Sequence, residues 1–227
     1  LRNERKSSNN TVLSYMRDMR QLSEYLEAHD LPDLLEVSEK DLETYIDWLR
    51  SNGKSPATIS RCIATFKTFY KHFFVKGKII QNPAATIVSE KIEKKLPQIL
   101  TSKEVELLLE QPECTDMKGY RDRAMLELLY ATGIRVTELI SLDVSDVNIP
   151  VGFVKCRSKD KERIIPLYSK AVKAVNEYIE FIRPHMLADE NEKALFVNMQ
   201  GSRMTRQGFW KIIKHYQAKA HIDKDIT

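Results

Sequence analysis

The stretch ATGIRVTELISLDVSDV, residues 131–147, decides how the chain is read, because it places an arginine where a helix begins. Gly133 closes an apolar helix, and Arg135 opens the next with Glu138 one turn along. Leu139 and Leu142 fall on the inward side. An arginine in a helix's first turn adds a planar, two-pronged donor to the free backbone N–H groups there, which makes a seat for a phosphate. The plainer reading is a surface pair of Arg135 and Glu138 at i,i+3. Downstream, VGFVKCRSKDKERIIPL (151–167) reads as a β-hairpin with lysines at its tip.

A chain of 227 residues suits one large or two modest domains. With 42% hydrophobic and 30% charged residues it can bury a core, which excludes a disordered chain. The net charge of +4 says little by itself, but its distribution is uneven. From Trp48 to Ser89 there is no Asp or Glu among seven Lys and Arg, and from Lys193 to Ile222 none among six. Stretches cleared of carboxylates in an otherwise acid-rich chain point to surfaces that face a polyanion. Cys62, Cys114 and Cys156 match no metal or redox spacing, and an odd number without a framework suits a reducing compartment. No apolar run approaches the roughly 20 residues that cross a bilayer. The start, LRNERKSSNN, lacks a signal-peptide core and begins on Leu1, which reads as a trimmed start. A soluble cytoplasmic protein with no membrane partner is expected.

Organisation follows from caps and periodicity. Val12, Tyr15, Met16, Met19, Leu22 and Leu26 recur at helical spacing after the cap region Ser7–Asn10. Ser38 and Asp41 form a capping box for a helix through Trp48 and Leu49 that ends at Gly53. Ser55-Pro56 starts a third helix with Ile59, Ile63, Phe66, Phe69, Tyr70 and Phe73 on its apolar side, stopping at Gly77. Asn82-Pro83 precedes a short final helix. SEKIEKKLPQ, residues 89–98, reads as a linker. Beyond it Thr101 and Glu104 cap a helix, and another from about Tyr120 to Thr132 turns Ala124, Leu128 and Tyr130 inward. The arginine helix, the hairpin, a helix from Ser169 to about Arg183, a strand ALFVN (194–198) able to pair with the hairpin, and a helix from Thr205 to about Ala220 complete the chain.

Three segments in order resemble the tyrosine recombinase (phage-integrase) family, and within it the Xer branch. SPATISRCIATFKTFYKHFF (55–74) resembles the core-binding helix. YRDRAMLELLYATGIRVTEL (120–139) resembles the central signature, and MTRQGFWKIIKHYQAKA (204–220) the Xer helix that follows. The resemblance covers nearly the whole chain. It implies a mainly α fold: an N-terminal helical bundle (SAM-like, core-binding) over residues 1–88, a linker at 89–98, and a mainly helical catalytic domain with a small antiparallel sheet over 99–227. In the family the two domains form a C-shaped clamp on a duplex.

Breaking a DNA phosphodiester by transesterification demands cations on the nonbridging oxygens, a proton for the leaving 5′ oxygen, and an in-line nucleophile. Arg135 supplies the first kind of group with a fork that lysine lacks. The resemblance assigns it the clamping of the scissile phosphate, with Glu138 in support, and gives the general-acid role to a hairpin lysine. The family pattern there reads GKGxKER. SKDKER (158–163) is one residue shorter and has no glycine, so Lys159 takes the role with Lys161 as rival. DNA contacts are expected from Lys54, Ser55, Thr58, Arg61, Lys67 and Lys71 around the third helix, and from Arg203, Thr205 and Arg206 at the start of the last.

The family continues with a His-x-x-Arg pair and a tyrosine nucleophile. Three positions after His29, His72, His185, His215 and His221 stand Pro32, Val75, Ala188, Ala218 and Lys224, none of them arginine. Tyr216, beside Trp210, Ile212 and Ile213, reads as a helix residue. The chain as given is therefore expected to bind DNA without cutting it, while the full recombinase would cut and rejoin DNA through a 3′-phosphotyrosine link. That chemistry uses no cofactor, metal or nucleotide, and it runs in a homo- or hetero-tetramer of related subunits on double-stranded DNA. The competing readings are a non-catalytic DNA-binding module or fragment and a helical scaffold for protein partners.

Overall fold

Ser8, itself in extended backbone, caps the first helix, its hydroxyl accepting the Thr11 N–H at 3.2 Å. The structure, a computed structural model, describes residues 8–89, 98–158, 161–224 and 226; the chain divides into two compact units, Leu1–Lys95 and Leu96–Thr227. The proposed linker core, 90–97, and Lys159 lie outside the described residues.

The first unit is three helices, α1 (Asn9–Ala28), α2 (Glu39–Ser51) and α3 (Pro56–Val75). Ser38 and Asp41 make the capping box of α2, and Ser55 with Pro56 opens α3. Their apolar faces meet around Leu22, Leu42, Tyr45, Leu49, Phe66 and Tyr70, all with no exposed surface. Met16, expected inward, is more than half exposed. The helix expected after Asn82-Pro83 does not form. Asn82 Oδ1 accepts the Ala84 N–H at 3.0 Å, closing an Asx turn instead. So short a segment cannot repay helix nucleation; the burial of Ala84 and Ile87 and a hydrogen bond from the Thr86 hydroxyl to the Glu39 carboxylate anchor it.

The second unit begins with α4 (Ser102–Glu110), whose capping box joins Thr101 and Glu104. Lys224 and both donors of Thr101 hold the Glu104 carboxyl down to a pKa of about 2. Next come α5 (Met117–Thr132), capped by Asp116, and the short α6 (Val136–Ser141). Three antiparallel strands follow in the order β1 (Val147–Asn148), β2 (Phe153–Ser158), β3 (Lys161–Pro166), with Cys156 opposite Arg163 and Ser158 opposite Lys161. The helix expected from Ser169 to Arg183 is interrupted: α7 (Ser169–Glu177) passes through a π-turn, Tyr178–Ile182, into α8 (Arg183–Met186). The unit closes with α9 (Arg206–Lys219), capped by Thr205. The core gathers Met125, Leu128, Leu139, Tyr178, Phe196 and Phe209.

Two expectations for this unit are corrected. Tyr130 does not point inward but is 59% exposed, edge-on to Tyr168, because it stands two residues past Leu128 on another helix face. The ALFVN segment makes no strand with the hairpin. Ala194, Leu195, Phe196 and Val197 are all buried, so it runs through the core rather than along a half-exposed sheet edge. Its backbone groups go to isolated bridges with Asp143 and Arg203, to Leu142, and to the side chains of Arg183 and Tyr178. Among the described residues no helix is long and apolar enough to cross a membrane.

Gly201 has φ +74°, and a Cβ there would stand 2.1 Å from the Ala188 backbone nitrogen. Gly53, at φ +70°, faces open space. Gly201→Ala is therefore expected to cost about 3 kcal/mol and Gly53→Ala about 1. Thermal unfolding checks this; equal losses would remove the steric argument.

Candidate functional site

Gly133, at φ +58°, caps α5 in the left-handed region, and two residues later Arg135 caps α6. Between them Ile134 is buried, which pins the connection and turns its neighbour outward. The Arg135 side chain is 74% exposed. It occupies the cap position, with extended backbone at φ −69° and ψ 149°, rather than the helix's first turn. Its own N–H donates to Glu138 Oε2 at 2.8 Å, and α6 is only six residues long. The Arg135 N–H is thus taken by Glu138, and the group left exposed here is the guanidinium.

Glu138 links this arginine to the sheet. It is buried, and its Oε2 also accepts from the Arg163 guanidinium of β3 at 2.8 Å. Oε1 lies 3.6 Å from the Arg135 guanidinium and makes no hydrogen bond. The surface pair anticipated for Arg135 is therefore real, but its carboxylate is interior and shared. Side chains alternate along a strand, so Lys161 shares the sheet face of Arg163, two residues nearer the tip. Of the two candidate lysines, this one stands among the described residues, and it is exposed. A second buried carboxylate, Asp146, meets Arg157 of β2 at 3.2 Å, and Arg157 also reaches Glu162 across the hairpin.

The other cations separate by what they already hold. Arg203 donates to the carbonyls of Ile140 and Leu142, both at 3.0 Å, and pairs with Asp143. It closes the C-terminus of α6, so this expected DNA contact also has an internal role. Arg61 pairs with Asp18, a buried carboxylate that also accepts from Thr65 at 2.9 Å. Its charge is largely spent within the bundle. Ser55 and Thr205 use their hydroxyls as caps, accepting from Thr58 at 3.2 Å and Gly208 at 3.0 Å. Lys54 and Arg206 lie exposed at the starts of α3 and α9. Lys67 and Lys71 share one outer face of α3, the first half-buried and the second exposed.

Tyr216 is buried, and its hydroxyl donates to Asp122 Oδ2 at 3.1 Å. Burial and that carboxylate push its phenol up, away from nucleophilic use. Asp122 pairs with Arg121 at 2.7 Å; burial raises its carboxyl while Arg121 opposes the rise. Cys62 and Cys156 are buried thiols, and burial pushes Cys62 up to about 11. The residues that sequence reading passed over are Arg163 and Arg157. The available signal was the strand's two-residue period, which sets Arg163 on the same face as the apolar Val154 and Ile165.

The sequence pattern of the phage integrase family matches residues 98–227, and that of the phage integrase N-terminal SAM-like domain matches residues 1–76. The tyrosine recombinase XerD of Staphylococcus epidermidis is 42% identical over 225 residues, which is 99% of this chain and 76% of that protein. Among solved structures, XerH recombinase bound to its palindromic difH substrate after cleavage aligns with a TM-score of 0.75 at 20% identity, covering 97% of this chain and 66% of XerH. A lambda integrase tetramer bound to a Holliday junction aligns at 0.71 and 16% identity, covering 97% and 63%. With the family pattern spanning more than half of its residues and XerD this similar along its length, the chain belongs to the phage integrase family of tyrosine recombinases.

Proposed function

We propose that this chain grips double-stranded DNA and supplies the phosphate-holding part of a recombinase site that cuts and rejoins DNA through a 3′-phosphotyrosine link. The observation that carries the reading is Arg135: an exposed guanidinium aimed from one side by an interior carboxylate that also holds the lysine-bearing hairpin. Arg135 forks onto the nonbridging oxygens of the scissile phosphate and offsets charge as it develops. A hairpin lysine, Lys159 or Lys161, protonates the departing 5′ oxygen, which would otherwise leave as an alkoxide. The phosphodiester energy is kept in the protein–DNA bond, so no nucleotide or metal is needed. The residues before 89 form the core-binding domain and those after 98 the catalytic domain. Lys54, Lys67, Lys71 and Arg206 supply backbone contacts from exposed helix positions. By analogy with the lambda integrase tetramer on a Holliday junction, it works as a tetramer on two duplexes, in the cytoplasm with the DNA.

A second reading, DNA binding without cleavage by these residues alone, is favoured by the burial of Tyr216 and by the lack of any His-x-x-Arg pair in the sequence.

Duplex affinity is expected to fall linearly on a log–log plot against salt, and Arg135→Ala to weaken binding about tenfold. A fluorescence titration over a range of salt reads both; a flat response sinks the DNA-gripping reading. Lys67→Ala and Lys71→Ala should each lower the salt slope by about one. Arg203→Ala should instead lower the melting temperature and leave the slope alone, since its donors are internal. In a cleavage-competent protein carrying this chain, a covalent adduct with a nicked suicide duplex should vanish on Arg135→Ala and Lys159→Ala. An adduct that survives Lys159→Ala moves the acid role to Lys161.

A further inference from the structure

Glu138 faces two arginines, and its two oxygens are divided unequally between them. Oε2 accepts the Arg135 backbone N–H and the Arg163 guanidinium, each at 2.8 Å. Oε1 is buried, has no hydrogen-bond partner, and stands 3.6 Å from the Arg135 guanidinium. We propose that Arg163 is a positioning residue for Arg135: by occupying Oε2 it keeps the carboxylate from forking onto Arg135, whose donors stay available to a DNA phosphate. This rests on the reading of Arg135 as the phosphate holder.

A carboxylate and a guanidinium one helical turn apart prefer a two-bond fork. Inside the protein, where screening is weak, that preference is stronger than at the surface. A forked Arg135 would spend two of its five N–H donors, and its charge would be matched by Glu138 alone. With Arg163 present the group of three carries a net charge of one positive unit, from two arginines and one glutamate. Strand register supplies the reach: Arg163 sits opposite buried Cys156, on the β-sheet face from which its guanidinium contacts α6. The lone Oε1 then aims Arg135 by attraction at a distance too long for a bond.

The test has one arm without DNA and one with it, both on the 227-residue chain. In the first, the Arg135 Nε–H signal is followed by ¹⁵N NMR and identified by its loss in Arg135→Ala. Arg163→Met should move it to an ion-paired position and slow its exchange with water about tenfold. Adding Glu138→Gln, which retains an acceptor for the cap, should reverse both changes. Arg163→Lys, which keeps a cation on Oε2, should hold the wild-type signal and guards against a folding defect in the methionine variant. An Arg135 signal unmoved by Arg163→Met overturns the proposal. In the second arm, Arg163→Met should weaken binding to a mixed-sequence duplex about tenfold in the wild-type background and not at all in Arg135→Ala. Equal losses in both backgrounds overturn it, because Arg163 would then act on its own. Should the NMR changes appear while Arg135→Ala leaves duplex binding untouched, the function reading fails and the aiming of Arg135 by Arg163 stands.

Discussion

A carboxylate taken out of water must be surrounded by donors, and Glu138 is where this chain meets that demand. Uncompensated, a buried carboxylate costs several kcal/mol. Here the compensation comes from one backbone N–H and two guanidinium groups, drawn from α6 and from β3 twenty-five residues later in the chain. The start of α6, the orientation of Arg135 and the seating of the hairpin therefore depend on one another. Asp146 and Arg157 repeat the device on β2, so interior carboxylates hold the hairpin on both of its strands.

The same accounting separates structural cations from those left to solvent. Arg61, Arg121 and Arg203 each meet a carboxylate of their own unit, and Arg183 meets the carbonyls of Glu192 and Ala194. The Arg61 pair fixes a helix to a helix and the Arg203 and Arg183 contacts a loop to a helix, while Arg121 pairs with its neighbour Asp122 and reaches the Val197 carbonyl. Lys54, Lys67, Lys71 and Arg206 instead sit on outer faces and at helix starts. Charge counting along the sequence cannot make this distinction. Asp18 lies 43 residues from Arg61 and Asp143 60 residues from Arg203, so a stretch free of acids can still be neutralised from elsewhere.

The two groups that the proposed chemistry singles out, Arg135 and Tyr216, have opposite surroundings. Arg135 stays exposed beside its buried carboxylate, while Tyr216 is withdrawn into a buried bond with Asp122 and serves packing. Tyr178, also buried, accepts the Val197 N–H at a π-turn and helps hold the ALFVN segment inside the core.

By itself the sequence determined what is local. Ser8, Ser38, Ser55, Thr101, Asp116 and Thr205 cap their helices because a side-chain oxygen three residues ahead of a free N–H needs no distant help. Gly133 ends α5 because only a residue without Cβ enters the left-handed region cheaply, and the hairpin follows from its alternation. Family membership was legible too, since it is written in ordered local motifs. Tertiary structure alone decided which cations are free, where ALFVN runs, and that Arg163 shares the carboxylate facing Arg135. Each of these depends on which distant groups come within about 3 Å once the chain has packed, and neither periodicity nor charge pattern encodes that distance.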